Sequence, residues 1–159
     1  MQEISLDGLL FTSPDGFHVL TDEERSGMHT PWKGPWTGIR DPERHILVTA
    51  GVRQAGWLAS LLLSARDLAD RTEKQISRAM APYGYRAGDR VERMIAGERA
   101  FGFRYAYDAD GIAMCAESCV LKQRGKIYDL HLYAREAAKD ESLAVWETIL
   151  SSARLSPPR

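Results

Sequence analysis

Five side chains in a stretch rich in proline and glycine are the ones in this sequence best suited to recognition. Two tryptophans beside cationic groups make a good binding surface, because Trp and Arg dominate binding hot spots. The same side chains would suit the rim of a pocket. Alternatively, both tryptophans fold back and close one end of a sheet, since burying a large aromatic gains roughly 1.5–3 kcal/mol. The candidate surface consists of His29, Trp32, Lys33, Trp36 and Arg40.

The motifs of common catalytic sites are missing from the sequence. It contains no GxxxxGK or GxGxxG phosphate-binding loop, no GxSxG nucleophile elbow and no HExxH metal motif. Ser118 is expected in the middle of a strand, which is the wrong place for an activated hydroxyl. The four histidines lie far apart in sequence and are expected to be ordinary surface or half-buried residues. We therefore predict a non-enzymatic protein with no catalytic residues, no metal and no cofactor.

Two further spacings invite a metal interpretation that the local pattern argues against. Cys115 and Cys119 are expected on one strand, where four residues span roughly 13 Å and a disulfide needs α-carbons within about 7 Å. They are read as two small half-buried thiols. Asp108 and Asp110 flank a hairpin tip, and the later bidentate acid of an EF-hand is missing. A turn is the better interpretation of these two acids.

Composition places the chain among ordinary globular proteins. Its 159 residues fit one domain covering 1–159, with 44% hydrophobic and 27% charged residues and a formal net charge of -1. Basic residues are scattered, which argues against a nucleic-acid partner. The longest apolar stretch, Trp57 to Leu63, is too short for a bilayer span, and the N-terminal residues do not read as a secretory signal. We predict a cytoplasmic protein with no membrane partner.

The first half of the sequence predicts mixed structure. A short hairpin is expected from residues 8–13 and 16–20, with Pro14-Asp15-Gly16 as its turn. Residues 21–43 read as a long irregular loop, and 45–52 as a buried strand. Residues 57–80 read mostly as helix, although 57–63 could be a strand with Ser64 as the N-cap of the helix. Residues 155–159 are expected to be a disordered tail.

The second half predicts two hairpins and a closing helix. Alternating burial is expected at 85–95, 100–107, 112–121 and 128–135, with a turn signal at Asp110-Gly111. A helix is expected over about 138–153, followed by prolines that forbid its continuation. Consecutive hairpins with separate helices predict an α+β domain with a mainly antiparallel sheet. Oligomeric state is open; an edge position for 128–135 would allow pairing across a two-fold axis.

Several short segments stand out along this order of elements. They are Phe11, Gly16-Phe17, Gly97-Glu98-Arg99-Ala100, Phe103-Arg104-Tyr105, Gly125-Lys126-Ile127-Tyr128-Asp129-Leu130 and the helix from Trp146 to Ser152. In these features the sequence resembles the PsbP-like superfamily, which includes an extrinsic photosystem II subunit and a Ran-binding nuclear import factor. The resemblance covers about two thirds of the chain and implies a three-layer sandwich, with an antiparallel sheet flanked by helices, and binding or assembly roles. Residues 21–43 depart from the family pattern, no partner-binding residue can be matched, and photosystem II or Ran as partner is unsupported.

Three functional hypotheses follow. The first is a binding or assembly module that recognises a protein or peptide through the 21–43 segment and an adjacent sheet edge. The second is a small-molecule-binding protein, or a hydrolase without a recognised motif, with a pocket under that segment. The third is an accessory protein of a secretion or assembly system. The identity of the partner or ligand and the biological process are not encoded in any motif found.

Overall fold

The computed structural model describes residues 1–28, 34–123 and 125–156. Within these residues, ten strands and four α-helices form. The strands are β1 (Gln2–Leu6), β2 (Leu9–Ser13), β3 (His18–Val19), β4 (Trp36–Asp41), β5 (Ile46–Gln54), β6 (Arg86–Ile95), β7 (Glu98–Ala109), β8 (Ile112–Gln123), β9 (Lys126–Arg135) and β10 (Arg154–Leu155). The helices are α1 (Asp22–Ser26), α2 (Trp57–Leu62), α3 (Ala65–Met80) and α4 (Lys139–Ser152).

A seven-stranded antiparallel sheet forms the middle layer of the described chain. Its order is β3-β4-β5-β9-β8-β7-β6, so the C-terminal strands follow one another as hairpins, as predicted. Asp110 and Gly111 have φ values of 50° and 79°, which suits the tight turn between β7 and β8. β9 lies between β5 and β8. The edge position considered for residues 128–135 is therefore wrong, because a second sheet partner reaches them from the first half of the chain.

Helix α3 covers one face of the sheet, which we call the α3 face. Ser64 caps the helix through its hydroxyl, which accepts from the backbone N–H of Asp67 at 3.1 Å. The buried side of α3 packs Leu68 and Ala69 against two residues of β8 and β9. Ile76 packs further along on the aromatic residues of β7. The period-two alternation predicted for β7 decides which of its side chains meet α3.

The opposite face of the sheet is covered by α4 and by a second small sheet, β1-β2-β10. Trp146, Ile149 and Leu150 of α4 are buried in the main hydrophobic core, and Phe11 of β2 enters it as predicted. The result is an α+β three-layer sandwich, with a mainly antiparallel sheet between helical layers. The fold class expected from the sequence is confirmed.

The predicted N-terminal hairpin is wrong in its pairing. β2 pairs with β1 across the turn Asp7-Gly8, whose φ values are 45° and 93°. β3 instead joins the large sheet beside β4. Pro14-Asp15-Gly16 therefore carries the chain from one sheet to the other, and does not fold it back on itself. The Asp-Gly signal that identified the β7–β8 turn was also present at 7–8, and the sequence interpretation passed over it.

The predicted irregular loop over residues 21–43 also needs correction. Thr21 and Glu24 form a reciprocal capping box that starts α1, and Trp36 to Asp41 pair with β5 as β4. Regular structure is possible there because the two prolines before β4 fall between the two elements, and Gly38, which lies inside β4, still pairs with Thr49 of β5. Residues 29–33 lie outside the described residues. The predicted tail is wrong at Leu155, which pairs with Leu9, and residues 157–159 lie outside the described range.

The predicted helix over 57–80 is two helices. α2 ends at Leu62, the next residue Leu63 has an extended backbone, and α3 begins after Ser64. The N-cap expected at Ser64 is confirmed, and the alternative of a strand over 57–63 is wrong. A serine that offers its hydroxyl to the next helix breaks an apolar run that would otherwise continue.

Candidate functional site

A cavity of about 900 Å³ opens on the α3 face of the sheet. It lies beyond the C-terminal end of α3, with strands of the large sheet as its floor, and Met28 and Trp36 come from the other side. Its size falls in the range of small-molecule and anchor-residue pockets. The lining residues are Met28, Trp36, Arg40, His45, Ile46, Leu47, Thr49, Ile76, Ala79, Met80, Tyr83, Tyr105, Tyr107, Ala109, Asp110, Ile112, Met114, Tyr133 and Arg135.

Three tyrosines form the aromatic floor of this cavity. Register places Tyr105 and Tyr133 in one row, both opposite Ala116 of β8. Tyr107 follows two residues along β7, and its ring centroid lies 5.9 Å from that of Tyr105. The three rings therefore share one face of the sheet, as residues of equal parity on neighbouring strands must.

Burial keeps these phenols protonated. It raises the pKa of Tyr105 and Tyr107 well above the ordinary value, and that of Tyr133 to about 12. At neutral pH each hydroxyl can donate or accept a hydrogen bond, but none is a base. The floor can therefore stack on an apolar or aromatic group of an occupant, and its hydroxyls can donate hydrogen bonds to a polar atom of that occupant.

The rim of the cavity carries more positive than negative charge. Arg40 is half-exposed, and its Nη1 lies 4.0 Å from Glu24 Oε2, a loose ion pair. Arg135 makes no ion pair with any described residue. His45 stands on a left-handed backbone at φ 56°, just before β5, and Asp110 contributes the opposing acid. An occupant with an anionic group beside an apolar body would be complementary to this lining.

The structure brings two of the five predicted site residues to this cavity. Trp36 and Arg40 are four residues apart on β4, so their side chains lie on the same face of the sheet, the α3 face. Trp36 is half-buried; Arg25 of α1 lies over its ring at 5.8 Å and donates to its carbonyl at 3.0 Å. His29, Trp32 and Lys33 lie outside the described residues. Whether those three complete the surface stays a prediction.

Sequence reasoning missed the aromatic floor and a polar pair beside it on the same face of the sheet. Ser118 Oγ and His131 Nδ1 lie 2.7 Å apart, and both residues are buried. Burial lowers the pKa of His131 to about 3, so the ring stays neutral. A count outward from the Gln123–Lys126 turn pairs Ser118 with His131, and this count was available from the sequence.

The residues Ser118, His131 and Asp129 are the types used in hydrolytic triads, but their setting is different. Ser118 and His131 do not line the cavity, and no surface opening reaches their buried side chains through the described floor. Burial raises the pKa of Asp129 to about 6, against a lowering effect of Arg53. An enclosed hydroxyl cannot meet a substrate. The arrangement is that of a buried polar network that orders the sheet.

The described residues contain neither a cluster that could hold a metal ion nor a helix that could span a membrane. Among residues 1–28, 34–123 and 125–156, no group of three or more His, Cys, Asp or Glu is placed to hold a metal ion. No helix in those ranges is long and apolar enough to cross a bilayer. Cys115 and Cys119 lie on β8 as free buried thiols, as expected from the sequence, and burial raises the pKa of both.

Comparison with known proteins identifies the fold. Neither a protein-family model nor a curated protein matches the chain in sequence. Among solved structures, it is similar to cyanobacterial PsbP (CyanoP) from Synechocystis sp. PCC 6803, with TM-score 0.69, 19% identity, and coverage of 97% of this chain and 91% of the other. LpqN, involved in cell envelope biogenesis of Mycobacterium tuberculosis, has a TM-score of 0.62 and 15% identity, and the match covers 98% of this chain and 90% of LpqN. The Saccharomyces cerevisiae Ran-binding protein Mog1p has a TM-score of 0.62 and 6% identity, and the match covers 97% of this chain and 94% of Mog1p.

These structures confirm the resemblance to the PsbP-like superfamily at the level of the fold. CyanoP and Mog1p represent the two kinds of relative that the sequence pattern suggested, and both match over nearly the whole of their own length. At such low identity the likeness concerns the arrangement of strands and helices alone. What the cavity binds has to be argued from its own residues.

Proposed function

We propose that this protein is a non-enzymatic binding module that recognises a protein or peptide partner through the aromatic cavity on the α3 face. One observation carries the proposal: the cavity of about 900 Å³ is lined by four tyrosines, Trp36 and several aliphatic and methionine side chains. Aromatic-lined pockets of this kind hold an anchor side chain of a partner. Flexible methionines such as Met28, Met80 and Met114 can adapt to its shape.

The rim argues for the kind of sequence that would bind. Arg40 and Arg135 stand at the opening with Asp110 as the opposing acid. A partner segment with an aromatic or branched aliphatic residue next to Asp or Glu would match both the floor and the rim. The similarity in fold to a Ran-binding protein is compatible with a protein partner, and it identifies none for this chain.

The cavity proposed as the binding site does not include a sheet edge, whereas the first of the three hypotheses from the sequence did. On the β4 side, Arg25 donates to the carbonyl of Trp36, and the backbone N–H of Leu20 donates to that of Gly38 at 2.9 Å. At the other edge, β6 carries charged side chains and a register shift between Ala87 and Arg90. Charges and bulges on edge strands oppose pairing with another chain.

A test of this proposal fills the cavity from Ala109, a half-buried residue that packs beside the tyrosine cluster. Ala109→Trp puts a large ring into the cavity, since Ala109 lines it. Ala113→Trp is the matched control, because Ala113 is exposed on the next strand and does not line the cavity. Peptides selected from a random display library on the wild-type protein should lose at least about tenfold in affinity to Ala109→Trp and keep it for Ala113→Trp.

The outcome that contradicts the proposal is equally definite. If selected peptides bind Ala109→Trp and the wild type equally well, the cavity is not the recognition site. Arg40→Glu separates the role of the rim. It should weaken peptides that contain Asp or Glu and leave neutral peptides unchanged, and the weakening should shrink at high salt.

A small-molecule ligand is the second candidate, and the volume of the cavity is what favours it. A drug-sized molecule fits in about 900 Å³. Thermal-shift screening against a metabolite library separates the two candidates, because a ligand at 100 times its Kd stabilises by about 2.7 kcal/mol. A ligand whose shift disappears in Ala109→Trp would favour this second function over the first.

Three predictions from the sequence remain proposals. Absence of catalysis rests on the missing motifs, and the closed setting of Ser118 is compatible with it. A cytoplasmic location is compatible with the two free thiols of Cys115 and Cys119. A role as an accessory of a larger assembly would use the same cavity. Co-purification of a partner with the wild type, and its loss with Ala109→Trp, would support that role.

A further inference from the structure

Helix α2 carries its large apolar side chains on the outside of the molecule. Trp57, Leu58, Leu61 and Leu62 are 76%, 54%, 75% and 69% exposed. These positions follow the spacing i, i+1, i+4 and i+5, so they share one side of the helix. Only small residues, Ala59 and Ser60, are partly buried on it. The amphipathic pattern is inverted relative to a helix that packs on a core.

Contacts from the body of the protein hold α2 in this orientation. The Lys122 ammonium group of β8 donates to the carbonyl of Leu63 at 2.9 Å and also to that of Ser60. The backbone N–H of Ala55 donates to the Gly125 carbonyl at 2.7 Å, just before the helix. A cation at the C-terminal end of a helix is favourable, because the last carbonyls carry partial negative charge. The apolar side is thus presented by a fixed support.

The surroundings of this apolar surface are basic in sequence. No Asp or Glu occurs between Arg44 and Asp67, whereas Arg53 and Arg66 bracket the helix. Both arginines are exposed, and Arg66 lies over the Phe101 ring at 5.0 Å. The next acid, Asp67, is bound to Ser64 by its carboxylate. The buried acid Asp129 lies 3.7 Å from Arg53.

We propose that α2 docks this protein onto the surface of a bilayer that contains anionic lipids. An outward Trp and three leucines between arginines match the two layers of such a surface, with acyl chains below and negative headgroups above. The four side chains project away from the body of the protein, since each of them is more than half exposed. The helix lies in the interface and does not span the bilayer. The proposal departs from the prediction of no membrane partner.

Vesicle sedimentation tests this docking. The wild-type protein is mixed with vesicles of phosphatidylcholine and phosphatidylglycerol, and in parallel with vesicles of phosphatidylcholine alone. We expect co-sedimentation with the mixed vesicles, weaker binding to the neutral ones, and weaker binding as salt is raised. The double variant Trp57→Ser/Leu61→Ser should lower the partition coefficient by about tenfold or more. Arg66→Gln should weaken binding to the mixed vesicles only.

Met94→Ser is the matched control, because Met94 is also an exposed apolar residue but lies on β6 at the far edge of the sheet. It should bind vesicles as the wild type does. Brominated lipids report insertion directly: they should quench tryptophan fluorescence in the wild type and much less in Trp57→Phe, which still sediments. Because α2 packs no large side chain into the core, all variants should keep the wild-type Tm.

Three results would overturn the proposal. One is that the wild type stays in the supernatant with mixed vesicles. Another is that the double variant sediments as well as the wild type. The third is a dimer in light scattering that Trp57→Ser/Leu61→Ser dissociates, which would assign this surface to a second copy of the chain.

Discussion

Glu117 is the residue whose replacement should most clearly reveal how the layers of this protein are held together. It lies on β8 and faces away from α3, with no exposed surface. Arg93 of β6 donates to its two carboxylate oxygens at 2.7 and 3.0 Å, and Arg104 of β7 at 2.9 Å. The indole N–H of Trp146 on α4 donates at 2.7 Å. One buried carboxylate thus joins three strands and the closing helix.

These donors decide the charge of Glu117. Burial alone would raise the pKa of the carboxyl, but hydrogen bonds from Arg93, Trp146 and Arg104 lower it below the ordinary value of 4.5. The carboxylate is therefore charged at neutral pH and compensates two cations. Its contribution to stability is present above about pH 4.5, the value of an unfolded Glu, and is lost as the pH falls through the lower folded value.

The perturbation is Glu117→Gln, which keeps the shape of the side chain and removes its charge. Arg93, which is mostly buried, then faces a neutral amide that can accept through only one atom. Breaking a buried ion pair costs about 3–5 kcal/mol, a large part of the roughly 5–15 kcal/mol by which domains are stable. For a chain of this size, Tm should fall by roughly 6 to 20 °C.

Glu147→Gln is the matched control, since it removes the other partner of the same arginine. Glu147 Oε1 lies 2.5 Å from Arg93 Nη1, but its side chain is 54% exposed. An exposed pair contributes about 1 kcal/mol or less. Urea denaturation, followed by far-UV circular dichroism and by Trp146-dependent fluorescence, should give a much lower midpoint for Glu117→Gln and nearly the wild-type midpoint for Glu147→Gln.

Two outcomes would refute this reasoning. The first is a Glu117→Gln protein within about 1 kcal/mol of the wild type, which would mean that desolvation of the charge cancels its pairing. The second is an equal loss in both variants, which would mean that burial does not decide the energy. The gap between the wild type and Glu117→Gln should also shrink as the pH falls below about 4.5, the unfolded value, and should close once the pH passes the lower folded pKa of Glu117.

Three further predictions concern single positions. Asp129→Asn should stabilise the protein by up to about 3 kcal/mol at pH 7.5, because burial raises the pKa of this carboxyl from 3.8 to about 6. In urea denaturation this gain should shrink as the pH falls from 6 to 3.8, and a gain independent of pH would contradict the assignment. Gly102→Ala should cost about 1–3 kcal/mol, because its Cβ would lie 2.1 Å from the Ser118 carbonyl oxygen; Gly56→Ala, which meets open space, is its control, and equal midpoints in thermal denaturation would be inconsistent with the packing described. Lys122→Met should free the end of α2 and speed amide hydrogen exchange at residues 60–63 without lowering the global midpoint, since it removes the donor to the Ser60 and Leu63 carbonyls; unchanged exchange would show that Lys122 does not hold the helix.

Local patterns were sufficient for the second half of the fold. Alternation in β7, β8 and β9, the Asp110-Gly111 turn and the apolar stripe of α4 are all readable over a few residues. Each hairpin pairs with its neighbour in sequence, so turn and alternation together define the register. This is also why the Ser118–His131 pair could have been counted from the Gln123–Lys126 turn.

The first half failed where partners are remote or elements are short. β3 has two residues, and its position depends on β4, which lies beyond α1. β2 pairs with β1 on one side, and on its other side it pairs with β10, a two-residue strand from the other end of the chain. No short window of sequence contains both β3 and β4, or both β2 and β10, and each of these closures is stabilised only once the core has formed.

Some residues of the candidate site could be found from the sequence, and others are recognisable only in the folded structure. Trp36 and Arg40 were identified by residue type, because Trp and Arg are enriched among binding hot spots. The tyrosine floor was visible only as alternation, since three strands must align before Tyr105, Tyr107 and Tyr133 face one cavity. The sequence predicted a helix over most of 57–80, but it did not show that the apolar side of α2 lies outward. Apolar spacing defines one side of a helix, but whether that side meets the core or the solvent depends on where the rest of the molecule lies.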